Sequence, residues 1–222
     1  MGSAIPDPIT LTMMRDTLYS AVVCDALDQL GYRHQAPRVP LAPQTGVDRL
    51  VGRGKTTLWA DMAHEDSHPY ALELEAVDGC RADDVIIAAV GGSLRSAVWG
   101  ELLSTAARRV GCVGAIVDGA VRDVTAMTAM GFPVFARGTN PYDSLHRQRV
   151  IDIDVSVEID GVPFAPGDLV FADRDGVVVV PQAIETEAIR RAWEKVHAEN
   201  TTRDAIKGGM KAAAAYKKYG VL

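Results

Sequence analysis

The sequence predicts an α/β protein, a single domain built on a central, mostly parallel sheet with additional antiparallel strands and a C-terminal helix. Three observations carry that reading. Two apolar runs, over 84–90 and 112–117, lack the alternation of a half-exposed strand and read as strands buried on both faces, as parallel strands are. Each lies in a strand–helix–strand succession, so the middle of the chain reads β-α-β-α-β, a pattern that implies right-handed crossovers in a parallel sheet. The last third changes character, with alternating runs around the turn Asp173-Arg174-Asp175-Gly176, the mark of antiparallel strands.

Taken in order, residues 8–30 read as helix, divided at Ser20, which as N-cap starts a second helix over 21–30 that Gly31 stops. Three prolines make 35–44 a loop, and a strand region follows over 49–61. The polar segment 64–69 leads, with Ser67 as cap, into a helix over 70–77. The strand over 84–90 ends at Gly91-Gly92, and a helix covers 98–110. The strand over 112–117 gives way to a tight turn at Asp118-Gly119, a helix over 121–130 stopped by Gly131, and a short strand over 132–136. Residues 150–159 alternate, placing Ile151, Ile153, Val155, Val157 and Ile159 on one face. Strands over 168–172 and 177–180 flank the β-turn, and a long helix covers 183–200. A helical tail over 201–222 completes the single domain, 1–222, and 1–7 is expected to be disordered.

Composition narrows the function classes. A hydrophobic fraction of 48% and a charged fraction of 23% are those of an ordinary globular protein. The net charge of −6 and the scatter of Lys and Arg give no nucleic-acid footprint. No apolar run approaches a membrane span, and no charged leader precedes an apolar stretch. Cys24, Cys80 and Cys112 are widely spaced, which argues against a disulfide scaffold or zinc knuckle and fits a reducing, cytoplasmic setting.

Chemistry concentrates at two adjacent βα junctions, Gly91 to Leu103 and Val117 to Asp123. Ligands of parallel sheets collect at the carboxyl ends of strands, where helix N-termini offer unpaired N–H groups. At the second junction Arg122 can take a carboxylate in a two-pronged hydrogen bond, and Asp123 can hold Mg²⁺ if waters and substrate oxygens complete the shell. That pairing suits a 2-oxo acid. From spacing alone the plainer reading, a surface ion pair beside a turn, is favoured, because short motifs match often by chance.

The motifs Gly91-Gly92-Ser93-Leu94-Arg95, Trp99-Gly100-Glu101-Leu102-Leu103 and Val117-Asp118-Gly119-Ala120-Val121-Arg122-Asp123 resemble, in that order, the regulator of ribonuclease activity A-like family, which includes the 4-hydroxy-4-methyl-2-oxoglutarate (class II pyruvate) aldolases. Cys24-Asp25-Ala26-Leu27, Leu50-Val51-Gly52, Ala172 to Val177 and Lys218 to Leu222 extend the likeness over most of the chain. The resemblance implies a swivelling β/β/α fold, assembled as a homotrimer or a dimer of trimers with sites between subunits. It implies a divalent metal, Mg²⁺ or Mn²⁺, on Asp123; a substrate carboxylate on Arg122; and further substrate contacts from the backbone of Gly100, Glu101, Leu102 and Leu103. The implied activity is cleavage of a 4-hydroxy-2-oxo acid to pyruvate, with Arg122 and Glu101 as catalytic groups, oxaloacetate decarboxylation as a side activity and a place in aromatic catabolism. A non-catalytic ribonuclease-regulator-like binding protein, or a lyase for another oxo- or hydroxy-acid, are the alternatives. The chain departs from the pattern twice. Several relatives have aspartate where Glu101 stands, and the basic residue that aldolases offer after the third strand has only His146 or Arg147 to fill it here.

Other signals read as structure. His64-Glu65-Asp66-Ser67-His68 precedes Pro69 and reads as a polar loop rather than as a metal site. Gly52 to Thr57 fails as a phosphate loop because Arg49 stands where glycine is required. Cys24 reads as a packing thiol, Asp173 and Asp175 as turn residues, Trp99 as core or as cover for the site, and Glu194 and Glu199 as helix charges that could reach a neighbouring subunit's site.

Overall fold

The computed structural model describes residues 5–221. In chain order the elements are α1 (Leu11–Thr17), α2 (Ser20–Gln29), β1 (Ala42–Pro43), β2 (Leu50–Asp61), α3 (Ala71–Asp78), β3 (Asp84–Ala89), β4 (Ala97–Trp99), α4 (Glu101–Arg109), β5 (Gly114–Val121), α5 (Val124–Met130), β6 (Val134–Thr139), β7 (Gln148–Ile153), β8 (Val157–Ile159), β9 (Val162–Phe164), β10 (Leu169–Asp173), β11 (Gly176–Val180), α6 (Glu185–Lys207) and α7 (Ala212–Tyr219). The expected disordered stretch lies outside the described residues for 1–4, as does Leu222, while 5–7 hold neither helix nor strand.

The main sheet runs β1-β6-β5-β3-β2-β10-β11, with β4 added to β5 and β7 to β2. Its centre, β6-β5-β3-β2, is parallel, and β4 joins β5 in parallel. The flanks are antiparallel: β1 on β6, β7 and β10 on β2, and β11 on β10. The mixed α/β class with a central parallel sheet is therefore as expected, and β2-α3-β3 adds one more βαβ unit before the two read from sequence.

The unbroken apolar runs have the predicted cause. Ile86, Ala88 and Val90 enter one core with Val117, Met127 and Phe132, under α4 and α5. Val85, Ile87 and Ala89 enter the opposite one with Ile116, Phe135 and Phe164. A third core seats α1, α2 and α6 on the outer faces of β10 and β11.

Several local expectations are corrected. Asp118-Gly119 is not a turn, because β5 runs on through both residues to Val121, with a register irregularity against β6 between Val117 and Ala120. The Asp118 carbonyl accepts from the Gly92 N–H at 3.0 Å, and Gly119 is required there because a Cβ would stand 2.9 Å from the Ser93 carbonyl oxygen. Val98 and Trp99 are strand, not helix, and α4 starts at Glu101. Tyr19, not Ser20, is the N-cap of α2. Ser20 instead donates its N–H (2.7 Å) and hydroxyl (2.6 Å) to the Asp173 carboxylate, which ties α2 to the β10–β11 turn. Ser67 does not cap α3, whose N-cap is Tyr70. The stretch 150–159 splits into β7 and β8 around Asp154, which has φ 55°. In β7 the buried face carries Val150, not Ile151, which is 46% exposed. The long helix, α6, starts at Glu185 and runs on to Lys207, and the tail after it holds α7.

Candidate functional site

The site forms where β4 and β5 end side by side. The Arg122 N–H donates to the Trp99 carbonyl (2.9 Å), so the residues after the two strands are held together. Asp123 then takes a left-handed backbone, φ 58° and ψ 30°, before α5 begins. Aspartate tolerates that region better than most residues. The turn aims its carboxylate at the start of α4, where Oδ2 accepts from the Glu101 N–H at 3.3 Å. Gly100 makes this approach possible, since a Cβ there would lie 2.7 Å from Asp123 Oδ2 and 3.2 Å from Arg122 Cγ. The first intrahelical bond of α4 is Ser104 N–H to the Gly100 carbonyl (3.1 Å), which leaves the Leu102 and Leu103 N–H groups without helical acceptors.

Arg122 lies between two carboxylates. Its Nη2 is 2.5 Å from Asp143 Oδ2, and its Nε is 3.7 Å from Asp123 Oδ2. Asp143 Oδ1 also accepts from the Tyr70 hydroxyl (2.6 Å) and the Leu145 N–H (2.7 Å). Burial pushes the Asp143 carboxyl up, but Tyr70, the Leu145 N–H and Arg122 together hold it below the ordinary range. Burial and the bond to Asp143 lift Tyr70 to about 12. Glu73 is lifted to about 8, first by burial and then by Asp143, with Arg122 pulling the other way.

Gly100, Leu102, Leu103, Arg122 and Asp123 line one cavity of about 320 Å³, and Tyr70, Glu73, Trp99 and Asp143 share its wall. Glu101 belongs to an adjoining depression with Leu102, Asp123 and Val124, and its Oε1 accepts from the Thr105 hydroxyl at 2.7 Å. Trp99 is core and cover at once, being 3% exposed with its indole N–H on Ser104 Oγ (2.8 Å).

His146 and Arg147 do not line this cavity. His146 is exposed with φ 58°, and the Arg147 guanidinium stacks 4.8 Å over the Tyr142 ring. Glu194 pairs with Arg190 (2.6 Å), and Glu199 accepts from the Tyr19 hydroxyl (2.5 Å). Cys24 is half-buried, with its thiol pushed up to about 11 by burial and nearby aspartates. His64 to His68 is loop, and Lys55 lies in β2 with Nζ 2.6 Å from Asp154 Oδ2. Tyr70, Glu73 and Asp143 escaped the sequence reading. One signal was present: Glu73 shares an i, i+3, i+4, i+7 stripe with Ala76, Val77 and Cys80, which places an acid on the apolar face of α3.

As a metal site the arrangement offers one well-placed carboxylate. Among the described residues no group of three or more His, Cys, Asp or Glu side chains converges as a preformed cage. Asp123 is 46% exposed at the cavity mouth, which fits a hard cation that keeps several waters and takes its remaining oxygens from substrate.

The sequence model of the RraA-like family, described as Aldolase/RraA, matches residues 20–179. The chain belongs to that family. A relative from Halalkalibacterium halodurans, carrying the provisional name 4-hydroxy-4-methyl-2-oxoglutarate aldolase, is 31% identical over 200 residues, 90% of each chain. A relative of the same provisional name from Ectopseudomonas mendocina is 35% identical over 162 residues, 73% of this chain and 93% of its own. Among solved structures, Streptomyces coelicolor RraAS2, described as an unusual member of the RNase ES inhibitor RraA protein family, superposes with a TM-score of 0.76 at 28% identity, covering 91% of this chain and 99% of that one. The match to the family spans the whole candidate site and ends before α6. Among the described residues no helix is long and apolar enough to cross a membrane.

Proposed function

We propose that this RraA-like protein is a divalent-metal-dependent carbon–carbon lyase that cleaves a 4-hydroxy-2-oxo acid, of the 4-hydroxy-4-methyl-2-oxoglutarate type, to release pyruvate. One observation carries the reading: a guanidinium, an open carboxylate and two unbonded helix N–H groups converge on a single cavity of about 320 Å³. The provisional aldolase names of its relatives support the same chemistry.

Arg122 and the N–H groups of Leu102 and Leu103 bind the substrate carboxylate, and Asp123 holds Mg²⁺ or Mn²⁺. When bound, such an ion withdraws electron density from the 2-oxo oxygen. Glu101, at the rim, assists removal of the C4 hydroxyl proton. The C3–C4 bond then breaks, and Arg122 stabilises the negative charge left on the pyruvate half, where preorganised donors are most effective. Oxaloacetate leaves the same charge on losing CO₂, so its decarboxylation is the expected side reaction. The site lies between subunits of a homotrimer or dimer of trimers, a reading to which Leu102, 77% exposed at the rim, lends support.

Coupled pyruvate detection over a panel of 4-hydroxy-2-oxo acids and oxaloacetate, with and without Mg²⁺, tests the activity. Pyruvate that depends on the metal is expected. None from any member of the panel would replace the lyase with the ribonuclease-regulator-like binding reading. Light scattering on the same sample checks the assembly.

A further inference from the structure

We infer that Glu73 is the acid that returns a proton to C3 of the pyruvate half after carbon–carbon cleavage, an inference that rests on the lyase reading above. The starting point is a carboxyl group without a structural reason to be where it is. Glu73 lies on the apolar stripe of α3 with Ala76 and Val77, is 7% exposed, and yet lines the cavity that Arg122 and Asp123 share. Its Oε2 is buried with no hydrogen-bond partner. A buried polar atom left unpaired costs about 1–3 kcal/mol, and such an atom calls for an explanation. A reacting group of bound substrate supplies one.

The other residues of the cavity wall are already committed. Arg122 is permanently charged. Asp143 accepts from Tyr70, Leu145 and Arg122, which keeps it ionised. The Tyr70 proton is held in its bond to Asp143. Asp123 faces the start of α4 and is assigned to the metal. Glu73 is the carboxyl whose surroundings, burial first and Asp143 second, keep it protonated at neutral pH.

The step balances. Cleavage leaves the C3–C4 electron pair on the pyruvate half as an enolate. C3 takes the Glu73 carboxyl proton as the enolate closes to the ketone, and water at the cavity mouth reprotonates the Glu73 carboxylate. In oxaloacetate the departing group is CO₂, and the same proton is delivered.

The test is exchange of the pyruvate methyl protons with D₂O in the presence of Mg²⁺, followed by NMR, since exchange runs this step in both directions. Oxalate binding by calorimetry, a planar mimic of the enolate, is measured beside it. Glu73→Gln should lose exchange by about a hundredfold or more while oxalate affinity holds within about threefold, and Glu73→Asp should recover about tenfold over Glu73→Gln, in keeping with general acid catalysis. Exchange at the wild-type rate in Glu73→Gln, with pyruvate release intact in the wild type, overturns the inference and leaves the lyase standing. Loss of exchange together with oxalate binding also overturns it, because Glu73 would then shape the site without donating a proton. A wild-type protein that neither releases pyruvate nor exchanges overturns both readings together.

Discussion

β5 and the junction that follows it hold two aspartates five positions apart, Asp118 and Asp123, and each faces an arginine, yet the two pairs have opposite characters. Asp118 has its side chain 2% exposed, bonds to Arg137 Nε, and accepts from the Gly92 N–H at 3.0 Å. Burial still lifts its carboxyl above the ordinary range, although Arg137 and Gly92 pull it down. Asp123 is 46% exposed, stands 3.7 Å from Arg122 Nε, and meets one N–H at 3.3 Å. The first pair is closed on the Asp118 side, and it fixes the Gly91-Gly92 turn to the sheet. The second is open, and its arginine is shared with Asp143. The same two residue types thus build scaffold where the carboxylate is buried and bonded through both oxygens, and build a site where the carboxylate stays open.

The contrast breaks most sharply at the open pair. Asp123→Ala should lower metal-dependent pyruvate release by about a thousandfold or more, while shifting the melting temperature by only a few degrees. Wild-type turnover of this variant with Mg²⁺ present would sink the assignment. At the closed pair the effect should fall on stability instead. Asp118→Ala leaves the Arg137 guanidinium unmatched and should cost about 3–5 kcal/mol in urea unfolding, with metal binding retained in the folded fraction.

Glu73 sharpens the comparison through pH. Its folded pKa, about 8, lies above its ordinary 4.5. Below pH 4.5 both folded and unfolded chains hold the proton, and the difference in ionisation costs nothing. Between 4.5 and 8 the unfolded chain releases it first, so this group takes away stability progressively, on the order of 4 kcal/mol by pH 8. Glu73→Gln should flatten that part of the stability–pH curve, and an unchanged slope would deny the shift. Gly100→Ala forces a Cβ against Asp123 Oδ2 and should raise KM or lower kcat about tenfold, with little change in stability. The smallest effect belongs to an exposed pair, Arg174 and Asp48, 80% and 47% exposed. Arg174→Ala should change stability by less than about 0.5 kcal/mol.

What could be read from sequence follows from range. The runs at 84–90 and 112–117 announced buried strands because burial on both faces removes alternation, and that property is local. The Asp173 to Gly176 turn was legible for the same reason. Asp118-Gly119 misled because Asp-Gly favours turns, while β4 and β6, which pair with Ala120 and Val121 and so carry β5 past it, come from elsewhere in the chain. Val98-Trp99 misled because β4 is strand through pairing with β5, which lies later in the chain. At the site, Gly100, Arg122 and Asp123 lie in junction motifs and could be named in advance. Asp143 and Glu73 reach the same cavity from a loop and from α3, and no local pattern reports that meeting.

The left-handed backbone at Asp123 also limits how this position can drift. At φ 58° glycine, asparagine and aspartate are most at ease, so most replacements strain the fold as well as remove the proposed metal ligand. Asparagine and glycine are each one nucleotide away from either aspartate codon. The least disruptive substitutions at this position therefore remove the carboxylate and keep the architecture, which places a folded scaffold without the Asp123 carboxylate one mutational step from the proposed lyase. A saturation library scored separately for abundance and for pyruvate release should show these two substitutions abundant and inactive, apart from the rest.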